Sequence, residues 1–560
     1  MFNIYVDSSC CRAQFSWVIF LESMKIAMPS PEPEFDAIVV GAGFAGLYAL
    51  YKLRQLGLST RVYETGDGVG GTWYWNRYPG ARCDVHSLEY SYSFSEELQQ
   101  EWEWAERYPA QDEILRYINH VADRFDLRRD IQCNTKIVSA HFDEESNLWH
   151  VSSEAGKTIT ARFCIMASGA LSASRKPDFE GLDDFRGNWY HTGHWPHEPV
   201  DFTGQRVAVI GTGSSGIQVA PMISAQAAHL TIFQRTPNFS IPAWNYPLTE
   251  QMQDDWKRDY PKHRAVAKAS KSGALYDYST RSAFDISADE RQREFDARWA
   301  IGGANFTHCF NDLFTNKAAN DFAADYVRNK IRAIVRDPQI ANALTPTDHA
   351  IGTKRICVDT DYYAMFNRPN VSLADLRAAP IKRITKTAIL TENGEYEVDA
   401  IVFATGYDAV TGALTRIDIK GRDGVGLKDK WNHGPISYLG IMVSGFPNFF
   451  TINGPGSPSI LTNVVMAIEQ HVEWIADCIA YMDRAGAALV EGTEQAEENW
   501  VAHVRELADG TLHVQANSWY MGANIPGKPR VMLPYVGGLG VYTQICNEIA
   551  DDGYRGFSFL

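Results

Sequence analysis

Phe35-Asp36-Ala37-Ile38-Val39-Val40-Gly41-Ala42-Gly43-Phe44-Ala45-Gly46 decides the fold. A short run rich in β-branched residues meets three glycines spaced G-x-G-x-x-G, and a helical pattern follows from Leu47 to Leu56. Strand, turn and helix in that order make a dinucleotide-binding unit. Gly41 forms the tight turn, Gly43 admits a pyrophosphate, Gly46 lets the helix pack on the strand, and the helix N-terminus faces the anion. A second strand at 60–63 ends at Glu64, whose carboxylate suits the hydroxyls of an adenosine ribose. The glycines alone would be a weak signal; both strands and the acid in place leave little room for an ordinary glycine-rich turn.

The design recurs downstream. A strand at 206–210 runs into Gly211-Thr212-Gly213-Ser214-Ser215-Gly216, a helix begins at Ile217, and a strand at 230–233 follows. Counted from the first glycine, Gln234 falls where Glu64 falls, and Arg235-Thr236 come next. Exchanging an acid for an amide and an arginine removes repulsion from a 2′-phosphate and adds a forked donor for it, which favours NADPH over NADH. An ordinary surface arginine is the competing reading.

Between the two units lies Gly70-Gly71-Thr72-Trp73-Tyr74-Trp75-Asn76-Arg77-Tyr78-Pro79-Gly80-Ala81-Arg82-Cys83-Asp84. Glycines permit close backbone approach to a ligand, Trp73, Tyr74 and Trp75 offer flat apolar faces, and Asp84 can orient a cation. On residue types alone a tightly turned surface loop explains the stretch as well. Phe185-x-Gly187-x-x-x-His191-x-x-x-Trp195-Pro196 stands just before the second glycine turn. The spacing of His191, His194 and His197 raises a metal site, but Pro196 breaks any helix that would align them and no cysteine or carboxylate cluster completes a shell.

These two stretches, with the Tyr78-Pro79-Gly80 and Asp84 spacing, resemble the motifs of type I Baeyer–Villiger monooxygenases, nearest the phenylacetone and steroid monooxygenase branch. The resemblance runs from about Phe35 to the C-terminus. It implies an α/β fold with two Rossmann-like dinucleotide-binding domains, the NADPH domain inserted in the FAD domain, and an extra helical subdomain. FAD would contact Ala45, Glu64, Thr72, Trp73, Trp75, Asp84 and Tyr90, with Ile137 near the adenine; Arg82 and Cys83 would lie near the nicotinamide coenzyme. The Trp195-Pro196 fingerprint implies coupling between domains rather than bond-making.

The resemblance also gives meaning to Gly352-Thr353-Lys354-Arg355, where residue chemistry alone says little because most loop arginines are solvated. Arg355 would reach the flavin and pair with Asp84, and Lys354 would approach the coenzyme phosphate. NADPH would reduce FAD, O2 would add to give a C4a-peroxyflavin, and attack on a ketone would yield an ester or lactone. Both the peroxide and its adduct are anionic, so a permanently charged, forked guanidinium fits the task better than lysine. In Ser518 to Lys528 the family has a mobile loop that closes over the coenzyme, with Trp519 touching NADP; a core-anchoring aromatic is the plain alternative. Gly456 to Leu461 would line the substrate pocket.

Domain organisation follows. Ala167-Ser168-Gly169 and Ala404-Thr405-Gly406 read as the two crossings between lobes. The expected division is 1–34 a disordered lead-in containing Met24 and Met28, 35–170 the first part of the FAD domain, 171–405 the NADPH domain with a charged helical insert at about 244–345, and 406–560 the second part of the FAD domain. The apolar run at 15–21 lacks the flanks of a secretory signal. A chain of 560 residues exceeds one ordinary core, and a net charge of −16 argues against nucleic-acid or anionic-membrane binding. Nine dispersed cysteines without a Cys-x-x-Cys pair suit a reducing cytoplasm, and no apolar run is long enough to span a bilayer. The expected partners are a small ketone and O2, and the expected state is a monomer. Rival readings are a flavin monooxygenase that oxidises sulfur or nitrogen, disfavoured by Trp195-Pro196 and the Gly70 to Asp84 stretch, and a non-catalytic NADPH-binding module. A disulfide reductase would need a redox cysteine pair beside the flavin.

Overall fold

The structure is a computed structural model that describes residues 32–175 and 177–560. Most of the expected N-terminal lead-in falls outside the described residues. Two parallel sheets organise the chain. In the larger, eight-stranded sheet, Phe35–Val40 lies between Thr60–Tyr63 and Thr158–Met166, with both pairings parallel. Ile131–Gln132 extends one edge, and an antiparallel meander of Ile137–Asp143, Leu148–Ser153 and Thr158–Met166 builds the other side. The late strands Phe449–Thr451 and Asp418–Lys420 return to this same sheet.

The second sheet is built only from the middle of the chain. Its five strands run in the order Val371–Asp375, His229–Gln234, Arg206–Ile210, Ala400–Phe403, Asn188–His191, all parallel. A chain that leaves a sheet after Met166, builds another, and returns to the first through Asp418–Lys420 and Phe449–Thr451 carries the second unit as an insertion in the first. The return is secured by packing as well. Helix Val464–Ala485 lays Val465, Ile468, Val472 and Ile475 over Leu47, Leu50 and Leu53 of helix Phe44–Gln55, and Tyr48 donates to Glu473 at 2.9 Å.

Both dinucleotide helices begin earlier than their apolar patterns suggest, at Phe44 and Ser214, because the glycine turns themselves supply the first helical residues. Gly46 and Gly216 are obligatory for contact. A Cβ on Gly46 would lie 1.8 Å from the Gly41 carbonyl oxygen, and one on Gly216 would lie 2.1 Å from that of Gly211. Backbone cannot yield as a flexible side chain does, so Gly46→Ala should push the helix off its strand at a cost of about 1–3 kcal/mol or more. The expected result is a protein that purifies with a reduced flavin-to-protein absorbance ratio and a lowered melting temperature; full flavin content would show that the turn tolerates a methyl group.

The segment between His229–Gln234 and Val371–Asp375 of the second sheet is largely helical, as its charge pattern suggests: Glu250–Arg258, Tyr260–Ala269, Ala288–Ile301, Lys317–Ile334 and Pro338–Leu344. Side chains cap most of these starts. Thr249, Asn316 and Asp337 accept from backbone amides, and Ser287 with Glu290 forms a capping box. A small antiparallel meander, Ile381–Ile384, Ala388–Thr391 and Glu395–Glu397, is inserted between Val371–Asp375 and Ala400–Phe403 of the second sheet, a feature the sequence pattern does not predict.

Candidate active site

The two glycine turns differ from the capped helices in one respect. Gly43 and Gly213 stand at N-cap positions with no side-chain cap, so the first-turn amides of Ala45 and Gly46, and of Ser215 and Gly216, lack the partner that serine or threonine supplies elsewhere. A Cβ on Gly213 would meet nothing within 4 Å, so the backbone is open to close approach there. Uncapped helix starts at the carboxyl ends of two parallel sheets fit two dinucleotide pyrophosphates. Glu64 is buried directly beyond the strand at Thr60–Tyr63. Its Oε2 accepts from the Ala42 amide at 2.8 Å and its Oε1 from Gly66 at 2.8 Å, so the acid also ties the first glycine turn in place. Ile137 is buried in the core beside Tyr63.

The stretch from Gly70 to Asp84 bridges the lobes. Gly70 donates to the Ala42 carbonyl at 2.9 Å, and Gly71 lies against Gly43, so the stretch starts on the first glycine turn. Thr72 is exposed at the start of a single helical turn, Trp75 is half-buried, and Trp73 is buried and donates from Nε1 to the Tyr90 hydroxyl at 3.1 Å. Its far end rests on the second unit. Gly80, at φ +83°, leaves no room for a Cβ, which would lie 2.6 Å from the Gln218 carbonyl oxygen. The Tyr78 hydroxyl donates to Gln218 Oε1 at 2.8 Å, and Gln218 Nε2 donates to the Arg82 carbonyl at 3.0 Å. Arg82 itself pairs with Glu106 and Cys83 is buried.

Asp84 meets Arg355 at this junction. Arg355 Nε donates to Asp84 Oδ2 and Nη2 to Oδ1, both at 2.7 Å, in a fork that fixes the plane of the guanidinium. Nη1 donates to the Ile460 carbonyl at 2.6 Å. The side chains of the pair keep 30% and 20% of their surface exposed, so the guanidinium faces a space rather than being sealed in protein. Burial opposes its charge, but the attraction and hydrogen bonds of Asp84 outweigh that and hold its pKa well above the ordinary value. The group is a fixed cation at any working pH. Ile460 and Tyr520, whose hydroxyl burial pushes up to about 12, sit beside it. Sequence reasoning placed Ile460 and Tyr520 in loops but assigned them no part in holding Arg355; a backbone carbonyl and a through-space neighbour leave no pattern in sequence.

At the second turn, Thr212 donates to the Thr236 carbonyl at 2.8 Å, and Ser214 Oγ lies 3.6 Å from Cys357 Sγ. Gln234 is buried and spent on the Ala343 carbonyl, at 2.8 Å, so the amide that replaces the acid points into the helical region. Arg235 is exposed, and Lys354 is half-buried near it. Burial lowers the Lys354 pKa, Asp348 raises it and Arg235 lowers it. Among the described residues neither cation makes an ion pair, and Asp348 is already bonded to His349 at 2.7 Å.

The histidine fingerprint forms a strut. His191 accepts from the Gly193 amide at 3.0 Å, His194 is 2.6 Å from Ser174 Oγ, and His197 sets its ring edge-on to Tyr74 at 5.1 Å. His194 also packs edge-on against Trp75, at 5.6 Å, so the linker touches the aromatics of the bridging stretch. Trp195 is buried against Tyr190 and Phe202. The second crossing joins in: the Tyr407 hydroxyl donates to Asn76, and the Tyr407 carbonyl accepts from Asn524 at 2.8 Å. Through Asn524 and the Lys528 to Asp408 ion pair at 2.6 Å, the loop from Ser518 to Lys528 is docked on the crossing. Trp519 packs with Ala170, Leu171 and Leu461 around Ile460.

Burial also gives the fold an acid limit. It lowers His191 to about 4, His471 to about 3 and His513 to about 4, from an ordinary 6.5. Between about 6.5 and those values the unfolded chain binds protons that the native state does not, so stability falls as pH falls, by about 1.4 kcal/mol per pH unit for each site. The melting temperature should therefore drop steadily from pH 7 to pH 5, and replacing fully buried His471 by Gln should flatten the slope.

These features define a class: a flavoprotein with two dinucleotide-binding units. A family model described as pyridine nucleotide-disulphide oxidoreductase matches residues 38–271. A Baeyer–Villiger monooxygenase of Pseudooceanicola batsensis is 44% identical over 93% of this chain and 95% of its own. Oxidized steroid monooxygenase bound to NADP is 51% identical with a TM-score of 0.90, over 94% of this chain and 99% of that one. Cyclohexanone monooxygenase from Rhodococcus sp. Phi1 bound to NADP+ is 42% identical with a TM-score of 0.92, over 94% and 99%. The chain belongs to the Baeyer–Villiger monooxygenase family. It is an FAD- and NADPH-dependent enzyme of ketone oxidation, and its substrate is a small molecule.

Proposed function

We propose that Arg355, held by Asp84 and the Ile460 carbonyl, is the catalytic cation of this enzyme and that O2 is its co-substrate. Bound FAD would supply the redox chemistry: reduction by NADPH and activation of O2 for insertion of one oxygen atom beside the carbonyl of the substrate. The observation that supports the role of Arg355 is the two-point carboxylate fork on a partly open guanidinium. As the ketone carbon goes from trigonal to tetrahedral, negative charge develops on its oxygen, and a guanidinium already aimed and already charged stabilises it without reorganising. Asp84 keeps the guanidinium plane from swinging toward solvent.

In the same reading the first unit holds FAD through Gly41, Gly43, Ala45, Gly46 and Glu64, with Gly71, Thr72, Trp73, Trp75, Tyr90 and Ile137 around it. The second holds NADPH through Gly211 to Gly216, Arg235, Thr236 and Lys354, with Arg82, Cys83 and Trp519 near the coenzyme. The division into 35–170, 171–405 and 406–560 accompanies this assignment. Among the described residues no helix is long and apolar enough to cross a membrane. The seven described cysteines are unpaired thiols, which supports a cytoplasmic setting, and a monomer is the proposed state.

The test incubates the FAD-loaded protein with NADPH, labelled oxygen gas and a panel of aryl, cyclic and steroid ketones together with sulfides. One labelled oxygen in an ester or lactone is the expected product. Sulfoxide alone, with no ester from any ketone, would replace this reading with heteroatom oxidation.

A further inference from the structure

Lys271 lies two residues beyond helix Tyr260–Ala269, and its neighbours connect it to the surroundings of Arg355. Its neighbour Ser272 accepts from the Asn463 amide at 2.7 Å, three residues after the Ile460 carbonyl that holds Arg355. Its own ammonium lies 5.7 Å from the centre of the Phe314 ring, and Phe314 packs directly on Gly352 of the Gly352 to Arg355 turn. Phe314 stacks on His513 at 5.4 Å, and His513 lies 6.1 Å from the Tyr520 ring beside Arg355. On the other flank Ser272 Oγ is 3.5 Å from His308 Nε2, and His308 stacks on Tyr276 at 5.0 Å. Tyr276 in turn is close enough to act on the charge of Arg355.

An aromatic wall thus runs on both sides from Arg355 to Lys271. Lys271 is solvent-exposed, and its ammonium stands over the Phe314 ring, with the protein around it lowering its pKa by desolvation. The titratable groups that feel it are His308 and His513, both held neutral by burial, with pKa values of about 3 and about 4. Among the described residues Lys271 has no ion-pair partner and its side chain donates no hydrogen bond. A lysine on an ordinary acidic surface finds a carboxylate easily; this chain has 68 acidic residues against 52 Lys and Arg.

We infer that Lys271 is a specificity-determining residue that receives a carboxylate on the ketone substrate, so that this enzyme prefers oxo acids to neutral ketones. The apolar body of such a substrate lies along the Tyr276, His308 and Phe314 rings, with its carbonyl at Arg355 and its carboxylate at the ammonium. The inference rests on the oxygenation reading of the Arg355 site. The second unit already supplies separate cations, Arg235 and Lys354, for the coenzyme phosphate, which leaves Lys271 to the substrate.

The test uses the enzyme loaded with FAD and NADP and two probes, 6-oxoheptanoate and its methyl ester. Equilibrium dialysis reads binding, and labelled oxygen in the product reads turnover. The parent should favour the acid over the ester, a preference that weakens with salt. Lys271→Met should lower the acid-to-ester ratio about five- to tenfold, and Lys271→Arg should keep it. An unchanged ratio in Lys271→Met, or no preference for the acid in the parent, overturns the inference. Equal weakening of both probes assigns the lysine to pocket shape and also overturns it. Labelled ester from the neutral probe reports on oxygenation independently, so failure of that broader reading is seen separately while dialysis still reads the acid preference.

Discussion

Arg355→Ala should form ester about 10² to 10³ times more slowly than the parent while anaerobic reduction of the bound flavin by NADPH continues. The split is the point of the experiment. Arg355 touches Asp84 and the Ile460 carbonyl and belongs to neither glycine turn, so its loss leaves both dinucleotide sites built. What disappears is a fixed positive charge in a partly enclosed space, where attraction to a developing oxyanion is stronger than in water. Oxygen would still be consumed, with the two electrons of each NADPH ending in hydrogen peroxide rather than in product. Arg355→Lys should recover little, because an ammonium cannot make the two-point contact with Asp84 and its three donors do not share one plane. Asp84→Asn leaves the cation in place without its orienting charge, so a smaller loss is expected. Ester formation by Arg355→Ala within about twofold of the parent would remove Arg355 from the chemistry and leave Asp84 and Arg355 as a structural clasp between lobes.

Arg235→Ala should lower kcat/KM with NADPH about 10²-fold and change NADH use far less. A forked hydrogen bond to a doubly charged phosphate is worth about 1.5–3 kcal/mol, and the 2′-phosphate is the only group that separates the two coenzymes. Arg235 is exposed directly after His229–Gln234, within electrostatic reach of Lys354, and makes no ion pair among the described residues. Gln234, which stands where the first unit has Glu64, is neutral and turned inward to Ala343, so no carboxylate at that position repels a phosphate. Combining Arg235→Ala with Lys354→Met should erase most of the remaining preference, with a loss smaller than the product of the single losses, since two cations on one phosphate are coupled. Equal losses with NADPH and NADH would show that Arg235 supports the fold of the turn instead of reading the phosphate.

The glycine spacing after Val40 and again after Ile210, with an acid in one case and an amide plus arginine in the other, by itself determined two dinucleotide units and their difference. That information is local: a turn, a close approach and a strand end involve residues a few positions apart, and each demands a residue type. Boundaries were less legible, because Phe44 and Ser214 already belong to helices whose apolar pattern begins later, and the meander from Ile381 to Glu397 mixes charged and apolar residues too closely for either period to stand out. The pairing of Arg355 with Asp84 came from family resemblance, since 271 residues separate the partners and nothing in either neighbourhood announces the other. Only the folded chain decided that Ile460 offers its carbonyl to the same guanidinium and that Gly80 presses on the helix of the second unit. It alone shows that, among the described residues, Lys271 stands over Phe314 without a carboxylate partner. Contacts of that kind depend on where whole lobes come to rest against each other, and that is set by the sum of packing over both cores rather than by the residue types at the point of contact.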